Sequence, residues 1–68
     1  MNIITVKARV RYRETEEYII NEKTLIGIEK NYYDNEMIAQ RDIDLTDEGF
    51  ATIEQFKNSL VRLGYELI

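Results

Sequence analysis

From Ile4 to Arg13 apolar and polar residues alternate without a break. Ile4, Val6, Ala8, Val10 and Tyr12 fall on one face of an extended strand; Thr5, Lys7, Arg9, Arg11 and Arg13 fall on the other. The pattern predicts a long β-strand with a core face and a wet, basic face. Glu14-Thr15-Glu16 is polar enough to turn, and Glu17 to Ile20 reads as a second strand. So short a connection forces antiparallel pairing, which would bring Glu14, Glu16 or Glu17 close to Arg11 and Arg13. Asn21 to Thr24 reads as another turn. Leu25 to Glu29 reads as a third strand, or as the second continued past a bulge, and Gly27 within it signals a bulge or a close backbone approach. Asn31-Tyr32-Tyr33-Asp34-Asn35 reads as a loop, since Asn and Asp tolerate left-handed turns. Met37 to Leu45 alternates again: Met37, Ala39, Ile43 and Leu45 share a face with Arg41, opposite Ile38, Gln40, Asp42 and Asp44.

The last third changes period. Thr46-Asp47-Glu48-Gly49 reads as a turn. Thr52-Ile53-Glu54-Gln55 fits a capping box, with Ala51 and Phe56 in the staple positions. Ile53, Phe56, Leu60 and Leu63 form one helical stripe, and Gly64 suits a left-handed stop. Tyr65 to Ile68 returns as a short strand or a packed tail. The expected fold is therefore α+β, one domain spanning 1–68. It is a small antiparallel meander of three to four strands against one C-terminal helix, with room for a short terminal strand.

Composition sharpens this picture. Sixty-eight residues bury only roughly 60% of the surface the unfolded chain exposes, so stability is marginal unless something adds to it. With no Cys and no His there is neither a disulfide nor a thiolate or imidazole metal site to add it. Self-association or tight packing are the remaining routes, and no proline guards a sheet edge, so a homodimer, or else a monomer of low stability, is expected. The net charge of −4 is unevenly spread: residues 1–13 hold four cations and no acid, and the remainder holds all 13 acids. No apolar run approaches the roughly 20 residues that span a bilayer, and the first residues lack a signal-peptide pattern, so no membrane is expected and the chain reads as cytoplasmic.

Candidate chemistry is sparse. Catalysis lacks His and Cys, and the single serine, Ser59, sits within the helix pattern with no base beside it. Gly27, Gly49 and Gly64 are too scattered to cradle a phosphate. A calcium loop opening at Asp42 would want Gly sixth and Glu twelfth, but Asp47 and Ile53 stand there. No enzyme, cofactor, catalytic residue or metal ligand is expected.

Two features point to binding. The Lys7/Arg9/Arg11/Arg13 row could contact phosphates or an acidic partner, or could simply pair with acids on neighbouring strands. Tyr12, interleaved with those cations, points to the opposite face, which argues against bases stacking beside the row. Tyr32 and Tyr33 suit an interface anchor. The partner-binding candidates are thus Lys7, Arg9, Arg11, Arg13, Tyr32 and Tyr33. The Ile-, Asn-, Glu- and Tyr-rich composition resembles that of small accessory proteins of phages and mobile elements. The expected function is a small non-enzymatic protein-interaction module, accessory or regulatory, such as an inhibitor of a host machine, with another protein as partner. The alternative is a nucleic-acid-binding domain using the basic face of the first strand, disfavoured by the net acidity. A structural subunit of a homo-oligomer is a third reading.

Overall fold

The structure is a computed structural model and describes residues 2–68. Four long strands follow one another: β1 (Ile3–Arg11), β2 (Glu14–Asn21), β3 (Ile26–Tyr33) and β4 (Glu36–Asp44). Helix α1 (Ile53–Arg62) and a two-residue strand β5 (Glu66–Leu67) complete the chain. The five strands make one antiparallel sheet in the order β4-β3-β2-β1-β5. The expected α+β meander with its C-terminal helix and short terminal strand is what the chain forms.

The alternation along β1 sets which face is covered. Val6 and Ala8 lie in the core with Tyr18 and Ile20 of β2, Ile43 at the end of β4, and Leu25 and Leu45 from the flanking turns. Phe56 and Leu60 close the core from the helix, and Phe50, Ile53, Tyr65 and Leu67 pack around it. The rings of Tyr18 and Phe56 meet edge to face at 4.9 Å, and those of Phe50 and Phe56 at 5.6 Å, the arrangement that the ring quadrupole favours.

The helix ends are built as the sequence implies. Thr52 Oγ1 accepts from the Gln55 amide at 3.1 Å, and Gln55 Oε1 accepts from the Ala51 amide at 2.8 Å. The first bond satisfies a donor that the helix start leaves free; the second reaches one residue past the N-cap, to Ala51 instead of to Thr52 as the capping box would have it. The aromatic that packs on Phe56 is Phe50 rather than the expected staple partner Ala51. At the other end Gly64 has φ +91°. Its amide donates to Val61, and the Tyr65 amide donates to Leu60, both at 3.0 Å, which is the Schellman arrangement. Leu63, the C-cap residue, is 66% exposed, so the apolar seam ends at Leu60.

Two strand boundaries depart most from expectation. β2 begins at Glu14 rather than Glu17, and Asn31, Tyr32 and Tyr33 belong to β3 rather than to a loop. The turn shrinks to Asp34 and Asn35, both at positive φ (53° and 69°). That is the type I′ geometry whose twist matches the strands it joins. Gly27 marks a close approach, not a bulge: a Cβ there would overlap the Ile19 carbonyl and lie 2.8 Å from Ile20 Cα. The bulges fall elsewhere, between Arg9 and Arg11 and opposite Asn31/Tyr32.

Two expectations follow. Leu60→Ala, in a site only 4% exposed, should cost about 2–5 kcal/mol, while Arg9→Ala, half exposed, should stay within about 0.5 kcal/mol; urea midpoints of the two variants decide it, and equal midpoints would refute the assigned faces. Gly27→Ala should lower stability by about 1–3 kcal/mol through overpacking against β2, read from the same melts.

Candidate protein-interaction surface

The four cations do not form one row. Arg9 faces Thr15 whereas Arg11 faces Glu14. Thr15 and Glu14 are neighbours on β2 and point to opposite faces of the sheet. The bulge at Val10 therefore corrects the expected unbroken ladder: Lys7 and Arg9 share the face away from the helix, and Arg11 leaves it. Each cation is also engaged. Lys7 pairs with Glu17 at 3.8 Å, Arg9 with Glu66 at 3.6 Å, Arg11 with Glu14 at 3.4 Å and Arg13 with Asp34 at 3.3 Å. Lys7, Arg9, Thr15, Glu17, Tyr32 and Ile68 line a shallow trough of about 440 Å³, so an anion entering it meets cations that already hold carboxylates.

The two tyrosines separate as well. Tyr32 lies against the open sheet face, its hydroxyl donating to Glu17 at 3.3 Å. Tyr33 is exposed at the end of β3. Tyr12, expected on the core face, stands in the β1–β2 turn at 81% exposed. The bulge removes it from the alternation that would have buried it. Both hairpin turns emerge at the same end of the sheet. The Asp34 amide donates to the Arg13 carbonyl at 2.9 Å and the Arg13 guanidinium to the Asp34 carboxylate, so the tips are tied together by backbone and side chain. Arg13 adopts φ +71° and lies 5.3 Å from the Tyr12 ring. Tyr12, Tyr33, Met37 and Ile38 are all exposed at or near this end, with Arg11 and Arg13 beside them.

Just inside the tips lies a polar belt that the residue pattern did not announce. Glu29 is 9% exposed in the middle of β3. Its carboxylate accepts from Arg41 at 3.0 Å and from the Asn31 side chain at 3.1 Å. Arg41, correctly placed on the core face by alternation, spans the β3–β4 pair to reach it. That contact holds the guanidinium above its ordinary pKa. The Tyr18 hydroxyl donates to Glu16, and burial first, then the Glu16 contact, raises the phenol's pKa. Glu16 itself is raised, by burial chiefly and by the neighbouring Glu29 charge, against the lowering effect of the Tyr18 bond. The belt satisfies itself: among the described residues no buried side-chain N or O lacks a partner. Its acids show no metal-binding grouping among the described residues.

The Glu16 shift has a sign. A carboxyl whose folded pKa exceeds its ordinary 4.5 stabilises the fold while protonated, and that contribution is lost as pH rises from about 4.5 through the folded value. Gln keeps an oxygen for Tyr18 and cannot ionise. Glu16→Gln should therefore raise the urea midpoint at pH 7 and leave it nearly unchanged at pH 4; a variant destabilised equally at both would overturn the assignment.

Compared with protein-family models, with curated proteins and with solved structures, the chain matches none.

Proposed function

We propose that this chain is a small non-enzymatic protein-interaction module, an accessory or regulatory protein that engages another protein through the paired hairpin tips. The observation that carries the reading is the tip itself. Two tyrosines, a methionine and an isoleucine stand exposed beside two arginines, on turns fastened to each other by the Arg13–Asp34 contacts. Tyr and Arg dominate interface hot spots because they offer large contact area with polar reach. Fastening the tips reduces the ordering cost of binding. The absence of His and Cys supports a role without catalysis. The ion pairing of Lys7, Arg9, Arg11 and Arg13 supports a protein partner over a phosphate backbone, because each cation would have to release a carboxylate to take a phosphate.

A photo-crosslinking side chain at position 12 or 33, in the cell that makes the protein, should capture one discrete protein, while the same group at Lys23, at the opposite end of the sheet, should not. Tyr12→Ala with Tyr33→Ala should weaken that complex about 30-fold or more and leave the melt unchanged. Adducts to nucleic acid, or nanomolar binding of labelled oligonucleotides at physiological salt, would overturn the reading in favour of the nucleic-acid one.

A further inference from the structure

The sheet has a second face, and no element of residues 2–68 covers it. Cross-strand register lays it out in rows. Ile3, Asn21, Ile26 and Asp44 make one row; Thr5, Ile19, Ile28 and Asp42 the next. Lys7, Glu17, Lys30 and Gln40 make the third, and Arg9, Thr15, Tyr32 and Met37 the fourth. The first two rows are rich in isoleucine, with Ile3 and Ile26 both more than half exposed. Four isoleucines on one sheet face are unusual beside solvent.

We propose that a second copy of this chain covers this face, about a twofold axis running parallel to the strands between β2 and β3. The argument is self-complementarity, which a twofold contact requires because the same patch must meet itself. An axis so placed lays each β2 over the partner's β3 without shifting the rows. Ile19 then meets Ile28 of the other copy, and Glu17 meets Lys30 of the other copy, each contact occurring twice. β1 comes to lie over β4, with Lys7 over Gln40 of the other copy and one row away from its Asp42 carboxylate. A twofold axis perpendicular to the strands would instead stack each strand on its own copy, and if centred on the third row it would set Glu17 against Glu17. The open edge of β4 is a poorer route. Antiparallel self-pairing about Gln40 sets Glu36 against Asp44, and about Asp42 sets that carboxylate against its own copy; both oppose like charges. The size also fits. Extents of 31 × 22 × 20 Å limit the face to roughly 700 Å², near the ~800 Å² per partner of a standard interface. Twisted sheets packed this way keep their strands within about 30° of each other, so the row contacts survive the twist. The surface meets the hairpin tips only at Met37, in its last row, and its isoleucine rows and the Glu17–Lys30 row do not depend on the tips.

Sedimentation velocity on the purified chain tests this. The wild type should be a dimer at micromolar concentration. Ile28→Asp should weaken it at least 100-fold, and Ile26→Glu, at a more exposed site, should act in the same direction without loss of the far-ultraviolet dichroism. The decisive arm uses charge. Glu17→Lys alone and Lys30→Glu alone should each be monomeric, since each places like charges across the axis twice. Mixing the two variants should restore a dimer, because both cross-axis contacts then pair opposite charges, while the contacts inside each chain are the same before and after mixing. Tyr12→Ala with Tyr33→Ala should dimerise normally. A wild type that stays monomeric at 500 μM would overturn the proposal, as would a dimer indifferent to Ile28→Asp, a mixture that stays monomeric, or a different protein seated on this face.

Discussion

A short helix shields a long sheet. Ten helical residues reach about 15 Å, while strands of eight or nine residues reach about 27–30 Å. The apolar core therefore stops near the Ala8 end of the covered face. Beyond it the same face must meet water, and the residues there change accordingly. Glu16, the Tyr18 hydroxyl, Glu29, Asn31 and Arg41 form the boundary, each satisfied by a neighbour in the belt. Past the boundary the hairpin tips project free of the helix. With one helix on one face and none on the other, the isoleucine rows are left without cover. Core, belt and tips follow from that mismatch of lengths, and the bare face from there being a single helix.

Much of this was legible in the residue pattern, and what was not has identifiable causes. Alternation found the core face of β1 and put Arg41 on the same face as Ile43. The Thr52/Gln55 box and Gly64 located both helix ends, because each signal acts within a few residues and tertiary contacts do not revise it. The errors lie where pairing overrides local chemistry. Asn31, Tyr32 and Tyr33 carry turn-like neighbours, but partners on both sides, β2 and β4, extend them. The bulges at Val10 and opposite Asn31 exist only in the register between two strands, and nothing in a single strand's alternation records them. The break in the basic row and the exposure of Tyr12 both descend from the first of these. Glu29 was hidden for a similar reason, since its acceptability inside depends on Arg41, twelve residues later and on another strand.

The candidate contact residues divide along the same line. Their chemistry was readable; their grouping was not. Lys7, Arg9 and Tyr32 fall on the open face, Tyr33 and Arg13 at the tips, and Arg11 between. What assembles the tip is the tie between turns 21 residues apart. It holds Arg13 in a left-handed conformation that costs a non-glycine residue about 1–2 kcal/mol. Arg13 keeps that conformation while its carbonyl and guanidinium both contact Asp34. A glycine would relax the backbone and give up the guanidinium.

The strand order has a kinetic side. β1 to β4 pair only with their neighbours in sequence, so each hairpin can close over a handful of residues. The exception is β5, which joins β1 through Ala8 and Leu67, nearly the full length of the chain apart. Loop-closure entropy therefore bears on that junction more than on any hairpin. The meander can form before the terminus arrives. β5 and the helix stop are the segment whose release costs fewest contacts, a local opening that leaves the sheet standing. Each such opening bares the outer edge of β1 at the Lys7–Arg9 stretch, so the rate at which the last residues detach sets how often that edge can accept another strand.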